Sequence, residues 1–186
     1  GDGPEFSRAD WMDVKADSGL EFPNLPYFRD GAISLTESGA IHRYIAKKWR
    51  PDLLCLDDTA AYGTAEMVWG VVNDLKYFLG NECYAGDGDK PALATRFLPR
   101  METLATWMKE RTFAGGDQPS FADFSLVELI ELVDFVTEGE IYVAHPQLKE
   151  YRDRMFKLPG VMEYCESEHC PKLPFNNKVA KIGNSV

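Results

Sequence analysis

Residues 120–137 read Ser-Phe-Ala-Asp-Phe-Ser-Leu-Val-Glu-Leu-Ile-Glu-Leu-Val-Asp-Phe-Val-Thr. The apolar positions Phe121, Phe124, Leu126, Val127, Leu129, Ile130, Leu132, Val133, Phe135 and Val136 cover nearly the whole circumference of a helix. A helix that is apolar on most sides must be enclosed by others, so this stretch predicts the centre of a helical domain. It opens with Ser120 and Asp123, an S-x-x-D variant of the capping box, in which each residue satisfies a backbone amide of the other. A buried helix start needs such partners because its first amides find none within the helix.

Working outward, helical patterns continue on both sides. Helices are expected near 59–84 and 91–111 before it, separated by the loop Ala85-Gly86-Asp87-Gly88-Asp89. Two shorter ones are expected near 147–157 and 160–168 after it, followed by coil from Pro171. The first fifty residues have a different texture. Gly19, Pro23, Pro26, Gly31 and Gly39 punctuate short segments. Tyr27-Phe28-Arg29 and Ala32-Ile33-Ser34-Leu35 flank Asp30-Gly31, a hairpin with a D-G turn. Thr36 or Ser38 can cap a following helix with Ala40, Ile41, Tyr44 and Ile45 on its apolar side. Pro51 ends that helix near Trp49, and residues 51–58 read as a linker. The organisation is therefore α+β, a small domain at 1–50 and an all-helical one at 59–186.

Composition narrows the function. The 186 residues are 45% apolar and 27% charged, with a formal charge of −10. Such acidity repels phosphate backbones, so nucleic acid and anionic membranes are poor partners, and an anionic ligand would need local cations to hold it. Cys55, Cys83, Cys165 and Cys170 form no C-x-x-C pair and no zinc-ligand spacing, which reads as four reduced thiols in a cytoplasmic setting with no metal. His42, His145 and His169 are scattered and read as structural or exposed. No apolar run reaches a transmembrane length and no signal peptide is visible. The sequence starts without methionine, so a natural start upstream of Gly1 is an open reading.

Several ordered motifs carry a family resemblance. Phe22-Pro23-Asn24-Leu25-Pro26-Tyr27 followed by Asp30-Gly31 resembles the F-P-N-L-P-Y…D-G segment of mu-class cytosolic glutathione transferases. Thr36-Glu37-Ser38-Gly39-Ala40-Ile41 resembles their T-Q-S-N-A-I, and Ser120–Phe124 their core-helix capping box. Gly1-Asp2-Gly3-Pro4-Glu5-Phe6 with Arg8 and Trp11 is similar to the family's G-D-A-P-x-Y…R…W loop. The likeness runs from Gly1 to Pro174. It implies a partial thioredoxin-like domain followed by the all-α transferase domain, and conjugation of the glutathione thiol to small electrophiles.

The resemblance also implies site roles. Leu25-Pro26 would be a cis bond presenting the Leu25 backbone to the cysteinyl part of glutathione as an added strand. Glu37 and Ser38 would take the γ-glutamyl head at a helix start, where amides and dipole favour an anion. Glu37 stands where the family commonly has glutamine, and a carboxylate there can take the ligand's ammonium. Arg8, Trp11 and Lys15 look like the residues that hold the glycyl carboxylate, with Asn24 a further contact. Asp74 aligns with an acid that reaches the neighbouring subunit's glutathione, and Phe22 with an aromatic wedge between subunits, implying a homodimer. Val127 replaces a core-helix tyrosine, and Asn176 and Asn177 fall near usually apolar positions, so a different or poorer electrophile pocket is expected.

The likeness at Gly1 begins mid-loop. The family places a βαβ unit of roughly 30 residues before that point, carrying the tyrosine that stabilises the thiolate. Of eight tyrosines here, none precedes Tyr27, so the chain as given is expected to lack the catalytic tyrosine. Two other readings stay open: a non-catalytic transferase-like structural or interaction protein, and a carrier of apolar ligands.

Overall fold

The computed structural model describes residues 8–170 and 175–184. The Gly1–Phe6 motif and the Pro171–Pro174 stretch therefore lie outside the described residues. The chain divides into two compact units at Leu54 and Cys55. Pro51–Leu54, part of the linker expected from sequence, forms a 3-10 turn on the first unit, with Leu53 and Leu54 buried.

In the first unit, α1 (Ala9–Lys15) precedes β1 (Tyr27–Asp30), β2 (Ile33–Thr36) and α2 (Ser38–Trp49). The strands pair antiparallel, Tyr27 opposite Thr36 and Asp30 opposite Ile33. The two-residue loop is Gly31-Ala32 rather than Asp30-Gly31, and Gly31 at φ 59° supplies the left-handed first position that a type II′ turn requires. Residues 9–15, expected from the resemblance to lie in a loop, are helical and bury no residue. An aromatic cluster of Phe28, Tyr44 and Trp49, with centroids 5.9–6.4 Å apart, joins the hairpin to α2.

The second unit contains α3 (Thr59–Ala85), α4 (Lys90–Met108), α5 (Phe121–Thr137), α6 (Glu140–Ala144), α7 (Pro146–Phe156) and α8 (Val161–Glu166). Here α5 packs against α3, α4, α6 and α7. Leu126, Leu129, Ile130 and Val133 are wholly buried, and the relief from enclosure is a stripe of exposed Phe124 and Glu128. The start of α5 is held as its sequence demands. Ser120 and Asp123 form the capping box. The buried Asp123 carboxylate accepts from Ser120 N, Ser120 Oγ and Ala114 N, each at 2.7 Å, and from Tyr151 Oη at 2.6 Å. Burial first, then the nearby Asp123 charge, pushes the Tyr151 hydroxyl well above its ordinary pKa, so it stays a donor. Asp58 and Asp89 are the N-caps of α3 and α4, their side chains accepting from first-turn amides.

The stretch 175–184 forms no helix or strand, as expected, and is tied back by hydrogen bonds. Asn176 N donates to Gly183 O and Asn176 Nδ2 to Ile182 O, both at 2.8 Å, while Lys181 N donates to Cys83 O at the end of α3. Asn177 N donates to Tyr84 Oη at 3.2 Å, and Phe175 meets Phe135 edge-on at 5.2 Å. Asn176 and Asn177 thus close this loop onto α3.

Candidate functional site

The candidate site lies in the first unit, where β2 ends and α2 begins. Glu37 joins them with φ 69° and ψ 113°, a backbone region costly to any residue with a Cβ. Its carbonyl accepts the first helical bond, from Ile41 N at 3.0 Å. Glu37 is therefore the N-cap, and Ser38 is the first helical residue, not the cap read from sequence; no side-chain cap bond forms. The amides of Ser38, Gly39 and Ala40 precede the first intrahelical donor, and the helix dipole adds partial positive charge there.

Asn24 lies beside this opening. Its Nδ2 donates to Glu37 Oε1 at 3.3 Å, and its Oδ1 accepts from Leu25 N at 2.9 Å. The Leu25 amide, expected to face ligand, is thus engaged by its neighbour's side chain. Leu25-Pro26 is cis, and both residues are exposed.

Trp11 and Lys15 sit one turn apart on α1, the i and i+4 spacing that shares a helix face. Arg8 precedes that helix, its carbonyl accepting from Trp11 N and Met12 N. The Trp11 ring stacks on Tyr27 of β1, with centroids 6.3 Å apart and planes 19° off parallel. Arg29 lies over Tyr27 at 5.3 Å and its Nη2 donates to Ser18 O. Sequence reading gave Tyr27 and Arg29 no site role. Their one legible signal was the strand alternation that puts residues two apart on the same face.

A polar latch fixes α2 to the hairpin. Asp30 accepts from Lys48 Nζ and, at 2.8 Å, from Tyr44 Oη. The Lys48 bond first, then the Tyr44 bond, lowers the Asp30 pKa, and the Asp30 bond raises those of Tyr44 and Lys48. Phe22 is 75% exposed in this unit. Asp74 lies exposed on α3, in the second unit. No group of three His, Cys, Asp or Glu that could hold a metal gathers among the described residues.

A partial thioredoxin-like unit of hairpin and helix, followed by an all-helical unit built around one enclosed helix, defines the class of fold. Family models agree: the glutathione S-transferase N-terminal domain matches residues 1–47 and its C-terminal domain residues 73–168. Glutathione S-transferase Mu 5 of Rattus norvegicus is 30% identical over 186 residues, covering 99% of this chain and 81% of that protein. Glutathione S-transferase Mu 1 of Bos taurus is 29% identical, covering 99% and 84%. Among solved structures, the glutathione S-transferase Blo t 8 superposes with a TM-score of 0.81 at 26% identity, over 95% of this chain and 84% of that one. The chain belongs to the glutathione S-transferase family.

Proposed function

We infer that the protein is a glutathione transferase that joins the glutathione thiol to small electrophiles. The observation that carries the reading is the backbone of Glu37. Holding a glutamate at φ 69° costs on the order of 1–3 kcal/mol, and such strain persists where it prepares a site. Here it opens the N-terminus of the twelve-residue α2 beside Asn24 and Leu25. The amides of that terminus suit the γ-glutamyl carboxylate, with the Ser38 hydroxyl assisting, and the Glu37 carboxylate suits the adjacent ammonium. Leu25 and Pro26 receive the cysteinyl backbone, the ligand displacing Asn24 Oδ1 from the Leu25 amide. Arg8, Trp11 and Lys15 receive the glycyl carboxylate, a task for local cations on a chain of charge −10.

Chemistry requires the thiolate, which is the minor form of a free thiol at neutral pH. Tyr44 is unsuited to stabilise it. Its hydroxyl already donates to Asp30, and that bond raises its pKa, weakening it as a donor. A homodimer completes the proposal, with exposed Phe22 as the wedge and Asp74 reaching the partner's ligand. The setting is cytoplasmic, as four cysteines outside any disulfide suggest.

Retention on immobilised glutathione, elution by free glutathione and turnover of a chloronitrobenzene test this reading. Ser38→Ala should weaken glutathione binding about tenfold, the loss expected for one bond to a charged group. A folded chain that is not retained would sink the assignment. Retention without turnover would move it to the binding-module alternative.

A further inference from the structure

The helix that carries Trp11 and Lys15 buries no residue fully among the described residues. α1 is seven residues long, buries none of them, and exposes Met12 and Val14 by more than half. Isolated helices of that length do not persist in water. Specific contacts with β1 and with the loop after α1 then bear on its position. Two are described, and both lead to Arg29. The Arg29 guanidinium donates to Ser18 O, and Ser18 Oγ donates to Lys15 O at 2.8 Å, which reaches the C-terminal end of α1. The same guanidinium lies over the Tyr27 ring at 5.3 Å, and Tyr27 stacks on Trp11. Tyr27 and Arg29 share a face of the hairpin because they are two apart on β1.

Arg29 forms no ion pair among the described residues, although the chain carries thirty acids and twenty Lys and Arg. Its engagement with a carbonyl and a ring, rather than with a carboxylate, suits a planar guanidinium and not an ammonium.

We propose that Arg29 is a positioning residue for glutathione. It clamps α1 to β1 so that Trp11 and Lys15 meet the glycyl carboxylate, and it makes no contact with ligand itself. This rests on the transferase reading above, so the test separates the two. Dissociation constants for glutathione and for γ-glutamylcysteine, which lacks the glycine, are measured by calorimetry on the full chain and on Arg29→Met and Arg29→Lys.

Arg29→Met should weaken glutathione about tenfold and leave γ-glutamylcysteine within about twofold, since only the glycyl end depends on α1. Arg29→Lys, which keeps the charge and loses the planar stack, should show a smaller loss with the same selectivity. It carries the test if the methionine variant does not fold. In turnover, KM for glutathione should rise while kcat at saturation holds. Equal weakening of both ligands, or of neither, overturns the proposal while leaving the transferase reading intact. A folded parent chain that binds neither ligand overturns both.

Discussion

The two units hold their side chains in place by different means. In the second, α5 is enclosed by four helices and its start is fixed by a buried carboxylate with four donors. In the first, the buried apolar side chains among the described residues are Leu20, Ile41, Ala46, Leu53 and Leu54, and order rests on Arg29 to Ser18, on Asp30 to Tyr44 and Lys48, and on stacked rings. Apolar burial is cumulative and contributes about 25 cal/mol per Å², whereas exposed polar contacts each contribute little. Stability is therefore expected to be unevenly divided, with the unit that carries the candidate site opening first. A ligand that binds the folded first unit would even the division, because it stabilises only what it binds.

The comparison breaks most visibly at Asp123. Asp123→Ala would strand the Ser120 and Ala114 amides and the Tyr151 hydroxyl inside the helical unit. Each unsatisfied buried group costs about 1–3 kcal/mol, so the loss should exceed about 4 kcal/mol. Far-UV circular dichroism should show a strongly lowered or absent cooperative melt. If the melt is unchanged, the Asp123 node is not what seats α5.

Next in size are matched core truncations. Leu129→Ala, in a wholly buried position, should cost about 3 kcal/mol, as large-to-small changes in close-packed cores do. Ile41→Ala, on the thinner interior of the first unit, should cost about 2 kcal/mol, the lower end of that range. Hydrogen exchange read by peptide should show the first variant loosening 121–156 and the second loosening 27–49. Loosening spread equally over both units would mean that they unfold together.

Acid sharpens the contrast further. The Asp30 pKa is lowered in the folded chain, so its contribution is present above the ordinary carboxylate value near 4 and is lost as pH falls below it. Protection of 27–49 should fall in that window before protection of 121–156 does. Asp30→Asn should remove this acid dependence and leave a uniformly weaker first unit. An identical acid profile in the variant would show that the latch is incidental.

How much of this was legible in sequence follows the same division. The ten apolar residues of α5 could be placed because period and capping signal agreed, and the helices around it followed from their own patterns. The motif residues Asn24, Leu25, Glu37 and Ser38 could be picked out because they are contiguous and ordered. What escaped were features made by contacts distant in sequence. α1 has too few residues for a periodic signal, and its hold depends on Arg29, fourteen positions beyond Lys15. Ser38 gave way to Glu37 as the cap because a glutamate at φ 69° is a conformation that propensity argues against. The contacts of Asn176 and Asn177 with Ile182, Gly183 and Tyr84 were likewise hidden, because they join the tail to itself and to a residue some ninety positions earlier.

The smallest effect belongs to Arg50 and Asp52, just past α2. On geometry alone the pair looks strong: Nε to Oδ1 is 3.0 Å and Nη2 to Oδ2 is 2.7 Å, a two-pronged contact. The arginine bond lowers the Asp52 pKa, so the sign matches Asp30, with stabilisation present above about pH 4 and lost below. The side chains are 61% and 59% exposed, however, and water screens both charges. The two residues are also neighbours in the unfolded chain, where the attraction partly persists and cancels from the difference. Asp52→Asn should therefore leave the melting temperature within about 1 °C and the protection of 27–49 unchanged. Asp30 differs because it joins two elements that are distant in sequence, so its contacts vanish on unfolding. If Asp52→Asn loosened the first unit as much as Asp30→Asn does, local charge pairs rather than cross-element latches would be holding the hairpin to α2. The contrast drawn between a packed unit and a latched one would then lose its basis.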